Sequence, residues 1–456
     1  MFPSISANSR PALWAADVDR PAAQSAARQA FANTHSTTDN VSPKTNLTPL
    51  TRCSPCHAAL PKEIWGEVIG FSARTDILNL RATNIELRAE ADATITALHI
   101  DGTRGAEALP TLRTFGHLQS LALYDLDDRR LASLASSLQG QPPESLRVSL
   151  MSSTGTVSPA LSALAALPLF SLLLGDFHAI HEQSVVALNA CTYPILIVGA
   201  KSDEELRAAA QIPTLSVLSC MAVPFHDEAA ALFSSHQKLQ YLLISASSQL
   251  SSAGIVRIAE MAALRHFGLV QADIMESRLN ASAASALAAS PTLQNLFIDT
   301  GRQSLSQATV QALSHSRTIV TLRLPVGAGL HHLENMHTLE TLILDGSANK
   351  PPITMQTASA IAHLPKLSSL MLRSALFEED ALAALLQECT ATKLDFRDTI
   401  ITPDAVDALL SNSRLREVKL ERSTLSAANL VVLSNHPTLT ALTVDDIAII
   451  PKVTNV

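Results

Sequence analysis

From residue 95 onward the apolar residues of this chain recur in a fixed figure. An apolar residue, any residue and a second apolar residue return every 20 to 29 positions, as in SLALY, SLLLG, VLSCM, YLLIS, NLFID, TLRLP, TLILD, SLMLR, TKLDF, EVKLE and ALTVD. Counting the second apolar residue of each gives fifteen units: Ile100, Leu123, Val148, Leu174, Ile197, Cys220, Ile244, Leu269, Ile298, Leu324, Leu344, Leu372, Phe396, Leu420 and Val444. Another apolar residue often stands three places before the pair, as in LQSLAL (118–123), LQNLFI (293–298) and LETLIL (339–344). Alternation over so short a span predicts a strand with one face buried. Between the strands lie Ala- and Leu-rich stretches with helical spacing, such as ASAASALAAS, EEDALAALLQEC and PDAVDALLSNS. Ser426 and Thr402-Pro403-Asp404 stand where helix N-caps are expected.

A short strand followed by a helix at this period is the leucine-rich-repeat pattern. No single unit can bury its own apolar face, but stacked units share a continuous core. The expected fold is therefore an α/β leucine-rich-repeat solenoid over residues 95–456, with strands on a concave wall and helices on the convex one. The unit between Leu324 and Leu344 is only 20 residues long, which leaves a short convex segment, VGAGLHHLENMH. The Asn that commonly follows LxxLxL and ties loops together is mostly missing. Other polar groups or water are expected to satisfy those loops.

Composition agrees with many thin aliphatic layers: 47% of residues are hydrophobic and only 4% aromatic. The net charge of -8 provides no overall basic field for nucleic acid or anionic lipid. Five cysteines are an odd number over a long chain, which points to a reducing compartment and not to a disulfide framework. No secretory signal and no membrane-spanning stretch is apparent. Cys53-Ser54-Pro55-Cys56-His57 has the spelling of a haem-attachment or zinc motif, yet no second ligand pair lies nearby. His331, His332 and His337 read as surface histidines. No metal or cofactor is expected.

Residues 1–58 are polar and aperiodic, a disordered segment and a possible secretion signal. Residues 59–94 read as helices. Their order, LPKEIWGEVIGFSARTDILNLRATNIELRAEAD (60–92), resembles the F-box. The matching residues are Leu60, Pro61, Glu63, Ile64, Val68, Ile69, Asp76, Leu78, Leu80 and Arg81; Thr83 and Leu87 stand near places where a Cys and a Trp are common. That resemblance implies that Leu60, Pro61, Ile64, Val68, Ile69, Leu78 and Leu80 pack on Skp1, the adaptor of an SCF ubiquitin ligase. A helical cap for the solenoid is the plainer use of the same segment. The polar start, the F-box-like segment and the Ala-Leu repeats together resemble the GALA family of type III effectors of plant-pathogenic bacteria. SALAAS (285–290) and DALAAL (380–385) echo its repeat signature. The resemblance implies secretion into a host cell, to the cytoplasm or nucleus, and capture of a host target for ubiquitination.

The target would be held by side chains on the concave wall: Leu173, Leu196, Met221, Tyr241, Leu243, Phe297 and Met371, then Arg373, Arg397 and Lys419. The apolar residues read equally as neighbouring-strand packing with no ligand, and the alternating charges read more readily as a solvated face. A scaffold that masks a host protein without a ligase, and a repeat protein with its own catalytic Cys, remain alternatives. The repeats run to Val444 and leave about twelve residues. No active site is expected.

Overall fold

The computed structural model describes residues 97–449, except 102–117, 125–127, 140–145, 152–157, 176–181, 201, 221–222, 246–248, 271–278, 302 and 446. The segments 1–58 and 59–94, with Cys53, Cys56 and all the expected Skp1 contacts, lie outside the described residues. So does Met221.

Each alternating stretch is a strand. They are β1 (Ala97–Asp101), β2 (Ser120–Tyr124), β3 (Arg147–Met151), β4 (Ser171–Gly175), β5 (Ile195–Val198), β6 (Leu215–Cys220), β7 (Tyr241–Ser245) and β8 (His266–Val270). There follow β9 (Asn295–Ile298), β10 (Thr321–Pro325), β11 (Thr341–Asp345), β12 (Ser369–Arg373), β13 (Lys393–Arg397), β14 (Glu417–Glu421), β15 (Ala441–Val444) and β16 (Ile447–Ile449). Among the described residues they form one sheet in strict chain order. β1 to β15 are parallel, and β16 turns back antiparallel on β15. A parallel neighbour needs a crossover, and among the described residues from β2 onward a helix of one to three turns supplies it. The protein is thus an α/β leucine-rich-repeat solenoid.

Burial follows the alternation. In β4, Leu172 and Leu174 are buried while Leu173 is half-buried; β11 and β12 repeat the figure. Helices press small residues on the other side of that core. Ala281–Ala289 buries Ala283, Ala284, Leu287 and Ala288, and Pro403–Ser411 buries Ala405, Val406, Ala408 and Leu409. Alanine at these places lets the helix approach the sheet closely, which accounts for the Ala-rich composition. Ser202, Ser251, Asn280, Ser306, Thr354, Thr402 and Ser426 cap their helices through the side-chain oxygen.

Register corrects the sequence frame in two places. Val148 pairs with Leu121, and Leu150 with Leu123, so the core pair of the third unit is Val148/Leu150 and its second member is Leu150. Between β5 and β6 a bulge intervenes: Ile195 pairs with Leu215, but Leu196 pairs with Val217 and Ile197 with Leu218. Cys220 then aligns with Ile244. The bulge gives β6 one extra residue, and beyond it Ile197 aligns with Leu218, two places before the Cys220 that the sequence frame matched to it. Because the two frames differ by an even number of residues, both put Leu218 and Cys220 on the core side.

The short unit has a 3₁₀ helix, Leu330–Asn335, where its neighbours have α-helices. It is entered through Gly329 at φ +83°, and a Cβ there would strike the backbone of Gln307.

In the place of the usual Asn, three residues after the core pair, Thr399 and Ser423 donate to Leu372 O (3.4 Å) and Phe396 O (3.2 Å) of the preceding unit, and further ties stand on the helix-to-strand side. Asn412 donates to Leu386 O at 2.9 Å and to Cys389 O at 3.1 Å, and accepts from Arg414 N at 3.0 Å. One unit later His436 does the same work. Its Nε2 donates to Leu409 O (3.1 Å) and its Nδ1 accepts from Thr438 N (3.2 Å). His236 holds the same station against Ile212 O at 2.8 Å. Thr318, Thr338 and Thr390 reach Ser290 O, Ile319 O and Leu364 O from nearby places. The bonds to carbonyls cross to the preceding unit, so this polar ladder staples the stack, while the bonds from Arg414 N and Thr438 N are local and orient the side chains.

A backbone N–H on Nδ1 requires the neutral ring of His436. Burial holds this imidazole below the ordinary histidine value; the Leu409 carbonyl opposes the shift and Arg416 adds to it. His266 is lowered too, by burial and then by Arg265. Below about pH 6.5 the unfolded chain takes up protons that these folded sites resist. Stability is therefore complete above that pH and is lost as pH falls through it. His436→Asn, which copies Asn412, should leave the urea midpoint at pH 7.5 nearly unchanged and flatten its fall towards pH 5.5. An unchanged acid slope in that variant would remove His436 from the account.

Candidate functional site

Side chains that alternate with the core point to the open face of the sheet. Register gathers them into rows. The first runs Leu173, Leu196, Val217, Tyr241, His266, Asn295. The second runs Leu243, Gly268, Phe297, Arg323, Ile343, Met371, Asp395, Lys419. A third begins at Asp345 and continues through Arg373, Arg397 and Glu421. The bulge is what places Leu173 and Leu196 in line with Tyr241.

From β4 to β9 this face is apolar. Leu173, Leu196, Val217, Tyr241, Leu243 and Phe297 are half-buried, not exposed, because neighbouring strands stand about 4.8 Å apart and their side chains cover one another. Leu243 lies across the bare Cα of Gly268, where a Cβ would collide with its Cδ1. The rings of Tyr241 and His266 meet with centroids 5.6 Å apart. Burial raises the Tyr241 hydroxyl's pKa. The Nδ1 of His266 is buried and has no hydrogen-bond partner among the described residues.

From β10 to β14 the face is charged, and the charges pair. Arg323 bridges Asp299 (3.3 Å) and Asp345. Arg373 reaches Asp345 at 3.7 Å and donates to the Met371 sulfur at 3.1 Å. Arg397 bridges Asp395 (3.1 Å) and Glu421 (3.2 Å), and Lys419 lies 3.9 Å from Glu421. Behind this ladder the Lys350 ammonium is buried and donates to Asp345 O at 3.1 Å. Burial lowers its pKa, while Asp345 and Asp299 oppose that. Burial likewise lowers Arg373, with Asp345 opposing.

The expected site residues therefore fall into two zones. Leu173, Leu196, Tyr241, Leu243 and Phe297 share the apolar one; Arg373, Arg397 and Lys419 share the charged one, with Met371 beneath Arg373. Five strand spacings, about 24 Å, separate β7 from β12. Sequence reasoning missed Val217, Arg323, Ile343 and the notch at Gly268. Val217 was hidden by the bulge. Arg323 occupies the position of Phe297 one unit later and could have been found by that equivalence.

Chemistry at cysteine finds little support in this part of the chain. Cys191, Cys220 and Cys389 are buried, and burial pushes each thiol up, away from the thiolate a nucleophile needs. Among the described residues no three His, Cys, Asp or Glu side chains gather to hold a metal ion. No described helix is long and apolar enough to cross a membrane.

No protein-family model matches the chain, and no curated protein matches it. Solved structures do. An internalin of Listeria monocytogenes is 19% identical with a TM-score of 0.36, over 70% of this chain and 92% of that one. Toll, in its complex with Spatzle from Drosophila, is 12% identical at 0.44, covering 76% and 53%. TLR13, in complex with ssRNA13, is 14% identical at 0.46, covering 78% and 57%. These are leucine-rich-repeat proteins, and at such identities the likeness concerns the fold alone.

Proposed function

We propose that the chain is a substrate receptor: it holds a host protein on the β4–β9 stretch of the open face and recruits a Skp1-like adaptor through residues 60–80. The observation that carries the binding half is the contiguous apolar surface of Leu173, Leu196, Val217, Tyr241, Leu243 and Phe297. Aromatic and aliphatic surface of this kind is what protein interfaces bury at their centre. The charged stretch from β10 to β14 is less suited, because its ions are satisfied within the sheet. Support for the adaptor half comes from the F-box resemblance of LPKEIWGEVI, immediately before the repeats. In this reading delivery into the host cell and redirected ubiquitination follow from the GALA resemblance.

Co-purification with a plant Skp1 homologue tests the adaptor half. The wild type should retain the adaptor, and Leu60→Ala/Pro61→Ala should lose it. A wild type that retains none defeats the receptor reading and leaves the masking scaffold; retention by the double variant removes the assigned contact.

A further inference from the structure

Within the apolar stretch of the open face, His266 is the residue whose charge changes near neutral pH. It opens β8, paired with Tyr241 of β7 on one side and Asn295 of β9 on the other. The rings of Tyr241 and His266 meet at a tilt of 34°. Leu243, Gly268 and Phe297 follow in the next row of the same three strands. The Nδ1 of His266 is buried and finds no hydrogen-bond partner. Tyr241 and Leu243 face it from β7, and Asn295 and Phe297 from β9, so neither strand offers it a carboxylate. Its charged neighbour is Arg265, the residue before it in the chain.

The neutral ring is part of this apolar surface. Protonation makes both ring nitrogens donors, and the buried Nδ1 has no acceptor within reach. Burial, and then Arg265, accordingly hold the imidazole below the ordinary histidine value. A partner seated over the face strips water from the side of the ring that is still exposed, and so penalises the charge further. By linkage, the charged ring must bind such a partner less tightly than the neutral ring does.

We propose that His266 sets the pH dependence of capture: its neutral ring lets an uncharged apolar partner surface seat across Tyr241, His266 and Phe297, and its charged ring turns that surface away. The inference rests on the β4–β9 stretch being the face that holds the partner. Affinity is level above the pH at which His266 titrates in the free protein, and falls by up to about tenfold for each pH unit beneath it. Loss of stability in acid through His436 is a separate effect, because that ring bonds to Leu409 O in the helix-to-strand ladder and does not stand on the open face.

Nile red, an uncharged apolar dye, tests this on the full chain, with the methyl NMR signals of Leu196, Val217 and Leu243 reporting that it sits on this face. At about pH 7.5 the dye should shift those methyls, and by about pH 5 its affinity should fall at least threefold. His266→Gln keeps a neutral polar side chain and should bind the dye equally at both pH values. His436→Asn should show the same fall as the wild type, which separates the face from the acid sensitivity of the stack. Equal binding by the wild type at both pH values overturns the inference and leaves the binding face standing. Methyls that shift at neither pH remove the binding face itself, and the inference with it. A fall that persists in His266→Gln assigns the pH dependence to another group and overturns the inference as well.

Discussion

Asn412→Ala should lower folding stability by about 3 to 5 kcal/mol, among the largest effects of any single substitution in the chain. The side chain is buried and makes three hydrogen bonds with backbone. Its removal strands the carbonyls of Leu386 and Cys389, and each stranded buried group costs about 1–3 kcal/mol. The Arg414 N–H loses its acceptor as well. A cavity adds to the loss. Because each unit touches only its neighbours, the damage should be local. Hydrogen exchange should rise first between about Cys389 and Leu439, with the units near β7 protected as before. Asn412→His is the control. His436 and His236 already perform this task with an imidazole, so histidine should recover much of the loss. A cost below about 1 kcal/mol for the alanine variant would show that the ladder does not carry the stack.

The ladder also shows where sequence reasoning succeeds and where it stops. Strand and helix positions were legible because each unit repeats the same alternation and the same Ala-rich spacing. Fifteen parallel strands appear where fifteen units were read. That the missing Asn had to be replaced by other polar groups was also legible. Which groups tie the stack was not, although Thr399 and Ser423 stand where that Asn would be, and His236, Asn412 and His436 all stand three places before an apolar residue. Register is harder, since a single stretch can offer two frames. LRVSL contains Leu146, Val148 and Leu150 at alternate places, and only the hydrogen bonds of β2 decide between them. LSVLSC hides a bulge for the same reason. Positions on the open face inherit that uncertainty. Leu173 and Leu196 were legible as outward residues, but their alignment with Tyr241 depends on the bulge in β6. Pairing of charges lies further still from sequence, because it depends on the lateral neighbour across 20 to 30 residues of intervening chain.

Asp345→Asn should cost about 2 to 4 kcal/mol, and it separates two uses of the charged zone. Asp345 stands between Arg323 and Arg373, with the buried Lys350 close by. Its side chain is 13% exposed, and those of the two arginines 22% and 17%. Arg323 and Lys350 would then share the carboxylate of Asp299, and Arg373 would keep only the more distant influence of Asp395. Groups this sheltered are screened little by salt, so the loss should persist at about 0.5 M NaCl. An exposed ion pair would contribute under about 1 kcal/mol and fade with salt. The comparison bears directly on binding. If the ladder exists to hold strands β9 to β14 together, Arg373→Met should reduce stability and leave target capture through Tyr241 and Phe297 unchanged. If Arg373 instead meets the target, its loss should weaken capture more than stability. A double-mutant cycle on Asp345 and Arg373 decides between them. Coupling of about 1 kcal/mol or more in the unfolding free energy assigns both residues to the sheet. The apolar rows of β4 to β9 then remain as the surface for a partner.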